Sequence, residues 1–237
     1  VTDGVEEPVL LLGDQTGHDV QLTPAHRKAI QDASLVLWLG KVHEAPLDKL
    51  LSQNRKAIAL LDSGILTTLP QRNLRGAALS NTVDSHVWLD PNNAVRIAFF
   101  IATLRSQQYP ENKAKYLANA KDFAQQMLQA SQQYESSSKS KPYWSYHDAY
   151  QYLERALNLK FAGALTDDPH IAPTAAQPDQ ICRAQQFQPL YCAGHDLGNW
   201  HVRQRHTHAQ RKRDFTLHGI DAAGCFNDLV ARTRADH

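Results

Sequence analysis

The sequence predicts an α/β fold built on parallel strands, and three observations point there. Short apolar runs alternate with helix-like stretches through the first half of the chain. The runs are brief enough to be buried strands. Two of the helices are announced by the same pair of residues, a capping side chain followed by proline. Strand–helix–strand alternation of this kind suits a parallel sheet, which needs crossover helices to cover its faces.

Taken in order, VLLL at 9–12 is a first strand candidate. Thr23 then offers an N-cap and Pro24 the first helical position, so a helix is expected to about Ser34. LVLWL at 35–39, closed by Gly40, makes a second strand. A helix from Pro46 to about Ser52 follows, then a third strand in KAIALL at 56–61. Asp90-Pro91 repeats the cap-then-proline signal and starts a helix through about Gln107. Pro110 begins another that reaches about Tyr134, with Tyr116, Ala120, Phe123 and Met127 at helical steps along one face. ESSSKSKP (135–142) has no period and reads as a loop. YWSY (143–146), a helix from Asp148, a strand near LKFAGALT and a helix near Pro178–Gln186 complete the pattern.

Composition narrows the function classes. With 42% hydrophobic and 21% charged residues, the 237-residue chain is globular and long enough for one large or two small domains. A formal net charge of +1, without dense basic runs, gives no reason to expect nucleic acid as a partner. No apolar run approaches the ~18–20 residues of a membrane span. Neither a signal peptide nor an initiator Met is visible, as expected of a mature or trimmed chain. Cys182, Cys192 and Cys225 match no zinc-ribbon or CxxC spacing; one pair could form a disulfide in an oxidising compartment, and the sequence does not select it.

Three histidines stand in distinctive settings: His18 in TGHDVQLTP, His86 in DSHVWLDPNNA and His147 in YHDAYQYLE. Imidazole is the commonest side-chain metal ligand, and three of them make a familiar zinc shell. They lie roughly sixty residues or more apart, so only tertiary folding could join them. His18 follows the first strand candidate, where ligands of parallel sheets tend to sit.

DSHVWLDPNNA resembles the H-x-W-L-x-P signature of the ZnuA-like periplasmic zinc-binding proteins, the solute receptors of zinc ABC importers. TGHDVQLTP resembles that family's PHDYxLxPS segment, with Gly17 in place of its proline, and YHDAYQYLERALNLK resembles FHDAYxYF. The likeness runs from about Val1 to about Pro189. It implies two lobes, each a parallel sheet flanked by helices, joined by one long rigid helix. The boundaries it suggests are an N-terminal lobe at 1–109, the linking helix at 110–138 and a C-terminal lobe at 139–237. It also implies a zinc ion held by His18, His86 and His147, a periplasmic location, a monomeric chain, and transient docking on the membrane permease of an ABC transporter.

A histidine beside aromatic residues is by default a packed or surface residue, and motif context is what singles out these three. Trp88 and Leu89 read as core. Asp148 reads either as an acceptor orienting a ligating imidazole or as a helix N-terminal carboxylate. His43 and Glu44, where the family places a glutamate, read as structural or cleft-lining. His170 is the best bystander candidate, with Asp167 and Asp168 beside it as carboxylates. Manganese receptors of the superfamily carry a glutamate where His147 stands, so a nitrogen-rich shell favours zinc.

Two departures stand out. The stretch SGILTTLPQRNLRGAALSNTVDS (63–85) holds no histidine, whereas many zinc receptors carry a His-rich loop there. The family pattern also stops near Leu190–Tyr191, and half of the twelve histidines lie beyond it. That segment, 192–237, is either a changed reading frame or divergent end, or a histidine-rich metal-binding tail. The family's first strand is also not found before Val1. The rival functions are a three-histidine zinc enzyme and a metal buffer or adhesin. No HExxH, nucleophile elbow or paired-carboxylate motif supports the enzyme.

Overall fold

A computed structural model describes residues 1–12, 20–137 and 142–166, the side chains of 135–137 excepted, all within the unit Val1–Ile171. The expected helix 178–186, the three cysteines, His170, Asp167, Asp168 and the segment 192–237 lie outside the described residues, as does His18.

Helix α1 spans Pro24–Asp32. Its start is a reciprocal cap: Thr23 Oγ1 accepts from the His26 backbone N–H at 3.2 Å, and His26 Nδ1 accepts from the Thr23 N–H at 3.3 Å. Histidine thus fills the place usually taken by glutamate or glutamine. Strand β1 (Val36–Trp38) pairs in parallel with β2 (Ala57–Ala59). Between them run a 3-10 turn at Ala45–Leu47 and the short helix α2 (Asp48–Leu51). Val20, Ile30, Val36, Trp38, Leu47 and Leu51 form the core of this half.

The strand expected at 9–12 does not form. Val9 and Leu10 are 74% and 81% exposed, while Leu11 and Leu12 make a turn that leans on the core. Among the described residues β1 has only β2 beside it. An apolar run without a neighbouring strand cannot pair its backbone groups as a sheet does.

Helix α3 (Pro91–Gln108) starts where Asp90 accepts from the Asn92 N–H at 2.8 Å. After a 3-10 turn at Pro110–Asn112 comes α4 (Lys113–Ser137), 25 residues or ~37 Å long. Its buried stripe, Tyr116, Ala120 and Met127, is the face expected from sequence, and Ala98 and Ala102 of α3 pack against it. The helix runs past Tyr134 into the stretch expected to be loop. Arg105, 6% exposed, ties this layer together: Glu6, Ser34 and Gln108 all accept from its guanidinium.

A second parallel pair follows, β3 (Tyr143–His147) and β4 (Phe161–Thr166), connected through α5 (Gln151–Leu157). Parallel strands with helical crossovers are the α/β architecture expected from sequence. Helix α5 starts at Gln151 rather than Asp148.

Candidate metal centre

His86 closes the loop after β2 and precedes a 3-10 turn, Val87–Leu89, that leads into α3. Asn93, fully buried on α3, locks this corner in place. Its amide donates to Thr67 O at 2.8 Å and Val87 O at 3.2 Å, and its carbonyl accepts from the Thr67 N–H at 2.9 Å. Asp84 then turns the backbone: Oδ1 accepts from the His86 N–H at 3.0 Å. The same oxygen lies 2.7 Å from His86 Nδ1. An ionised carboxylate only accepts, so the proton is assigned to Nδ1, and Nε2 becomes the nitrogen through which a metal would be held. His86 and Asp84 are both buried, at 8% and 4% or less of their surface exposed.

His147 ends β3, opposite Thr166 on β4, at the carboxyl end of a parallel pair. Folding brings it to His86: their ring centroids are 5.4 Å apart. Two imidazoles on one tetrahedral zinc, with Zn–N bonds of about 2.0–2.1 Å, place their centroids about 5 Å apart. The spacing of the two rings is that of imidazoles sharing an ion. Among the described residues no group of three or more His, Cys, Asp or Glu side chains is arranged to hold a metal.

His43, on the segment after β1, is also buried, with its ring 5.6 Å from His86 and 5.2 Å from Trp88. Its Nδ1 lies 2.8 Å from Ser85 Oγ. Glu44 beside it serves the backbone, accepting from the Leu39 N–H at 2.6 Å. Burial raises the Glu44 carboxyl above its ordinary range, against the lowering effect of the Leu39 and Gly40 N–H groups. Leu89 is core, 5% exposed. Trp88, expected there too, is half-buried and stands against both His43 and His86, with its ring 5.4 Å from the latter. It lines the centre.

Asp148 takes neither of the roles expected from sequence. Both its oxygens accept from Arg72, at 2.8 and 2.6 Å, while Glu154 accepts from the same guanidinium at 2.6 and 2.9 Å. Arg72 lies over the Phe161 ring, 3.9 Å from its centroid. Burial alone would lower the Arg72 pKa; the two carboxylates outweigh it and hold the charge firmly on. Tyr143 donates to Glu154 at 2.5 Å, and burial together with that carboxylate pushes its phenol up. The histidine-free loop 63–85 is thereby clamped onto β3, β4 and α5, with Ala164 N donating to Leu74 O at 3.0 Å.

The acid that orients an imidazole is Asp84, which sequence reading passed over although it sits two residues before His86. His43, which reads from sequence as structural or cleft-lining, carries no sign there that it meets His86. Gln151, which donates to Asp84, carried no signal.

The family described as zinc-uptake complex component A, periplasmic (ZnuA), matches residues 1–186. The chain is 30% identical over 224 residues to the high-affinity zinc uptake system protein ZnuA of Brucella abortus, covering 76% of this chain and 67% of that protein. It is 31% identical to the protein of the same name from Yersinia pestis, over 76% and 65% of the two chains. In fold it is similar to the Zn(II)-bound ZnuA-like domain of Streptococcus pneumoniae AdcA, with a TM-score of 0.61 at 22% identity, covering 78% of this chain and 68% of that one. The chain spans about two thirds of the length of the relatives and structures it matches. The match over 1–186 stops just short of the point where the sequence leaves the family pattern. With a parallel α/β frame, two imidazoles at zinc-sharing distance and this match over most of its length, the chain belongs to the family of periplasmic zinc-uptake component A proteins.

Proposed function

We propose that this chain is a zinc receptor: it captures zinc in the periplasm and hands it to the membrane permease of an ABC transporter. The observation that carries this reading is the His86–His147 pair, 5.4 Å apart, with Asp84 holding the first imidazole by Nδ1. His18 joins them as the third ligand, on the strength of its motif. Imidazole nitrogens in a low-coordination shell favour zinc over manganese, which prefers more oxygen. The relatives' names, high-affinity zinc uptake system proteins, point the same way.

The chain works as a monomer that meets its permease transiently. The lobes run over 1–109 and 139–237, with the helix region 110–138 joining them; α4, ~37 Å long, is stiff enough to limit hinge motion. Among the described residues no helix is long and apolar enough to cross a membrane. The acid beside His86 is engaged by that imidazole and by Gln151, an arrangement that orients the ring.

Elemental analysis and competitive titration of the stripped chain test the proposal. One tight zinc per chain is expected, preferred over manganese. Alanine at His18, His86 or His147 should weaken zinc by roughly a hundredfold or more, beyond the 10–100-fold typical of outer-shell changes. His26, a helix-capping residue on α1, should leave zinc binding unchanged when replaced. Equal effects at His26 and His86, or a preference for manganese, would defeat the reading.

A further inference from the structure

Gln151 opens α5, four residues after His147, and its amide reaches back across the fold. Nε2 donates to Pro70 O at 2.9 Å and to Asp84 Oδ2 at 3.0 Å. Both partners are acceptors, so the amide can point only one way. The Asp84 carboxylate is thus held at both ends: Oδ1 by His86 and Oδ2 by Gln151. The backbone at Asp84 is anchored separately. Tyr152 OH donates to Asp84 O at 2.7 Å and accepts from the Leu69 N–H at 2.8 Å. Removing the Gln151 amide therefore leaves the carboxylate held through Oδ1 alone, with Oδ2 released, while Tyr152 still anchors the loop.

We propose that Gln151 is a positioning residue for the zinc centre, fixing through Asp84 the tautomer and orientation in which His86 ligates. The ligation itself rests on the zinc-receptor reading above; the control of the imidazole does not. A consequence is that the helix following one ligand, His147, sets the readiness of the other. Partners of this outer kind typically change metal affinity by 10–100-fold.

The test uses the whole chain with Gln151→Met, which keeps the side chain's length and removes the donor. In the metal-free wild type, nitrogen-15 NMR of the His86 ring should report predominantly the Nδ1–H tautomer. The variant should shift that population, weaken zinc by about tenfold or more, and alter the ligand-field bands of the cobalt(II)-loaded protein. Tyr152→Phe is the contrast: it loosens the loop's backbone anchor and should lower thermal stability without moving the tautomer. An unchanged His86 tautomer in Gln151→Met overturns the proposal, whatever the affinity does, because Gln151 is then only a loop staple. A shifted tautomer with zinc affinity within twofold of wild type overturns it as well, provided His86→Ala weakens zinc. If His86→Ala leaves zinc binding intact, the receptor reading fails, and the nitrogen-15 result on the metal-free chain alone decides the role of Gln151. Should Gln151→Met not fold, Gln151→Leu, which also removes the donor and adds no charge beside Asp84, answers the same question.

Discussion

Replacing Arg72 with Met should destabilise the chain severely. The side chains of Arg72, Asp148 and Glu154 are only 10%, 10% and 8% exposed. Arg72 makes four hydrogen bonds of 2.6–2.9 Å to the two acids. Methionine keeps most of the stem against Phe161 but leaves two buried carboxylates facing each other. Removing one partner of a buried ion pair costs about 3–5 kcal/mol, because the remaining charge has lost its compensation. That is a large share of a typical folding stability of about 5–15 kcal/mol. In urea, with a slope near 2 kcal/mol per molar, the midpoint should fall by about 2 M. The cause can be isolated by repeating the substitution in an Asp148→Asn, Glu154→Gln background: there the stranded charge is the Arg72 guanidinium itself, so replacing it with methionine should cost nothing or stabilise the chain. An equal loss in both backgrounds would refute the argument from stranded charge. Lysine should rescue only in part, since it restores one positive charge but not the two bidentate forks.

Two further outcomes follow from single sites. Burial raises the Glu44 carboxyl, so its folded pKa exceeds its unfolded one, and the stability tied to that proton is present at low pH and lost as pH rises through the folded value. Glu44→Gln should therefore flatten the stability profile above about pH 4.5 and stabilise the chain at neutral pH relative to acid, as measured by denaturation across pH. Gly163 has no room for a side chain: a Cβ there would stand 2.5 Å from the Trp144 ring. Gly163→Ala should cost about 1–3 kcal/mol by overpacking, readable as a lower thermal midpoint, and Trp144→Leu should relieve part of it.

The parts of this fold that the sequence by itself determined are those closed by neighbours along the chain. Thr23 and Asp90 cap helices whose hydrogen bonds run only four residues back, so cap, proline and apolar period suffice to place α1 and α3. The stripe of Tyr116, Ala120 and Met127 was legible for the same reason. His86 and His147 stood out because a local motif surrounds each. Tertiary structure alone decided what lies across the chain. A strand needs a partner, so VLLL at 9–12, apolar enough on its own, leaves Val9 and Leu10 exposed and turns at Leu11 and Leu12. Asp148 could be read as an orienting acid until Arg72, distant in sequence, claimed it. The meeting of His43 with His86, and the reach of Gln151 to Asp84, depend on contacts between segments that share no local pattern. Residue type announces what a side chain can do; the fold decides which other side chain it does it with, because distance in space is set by packing and not by position along the chain.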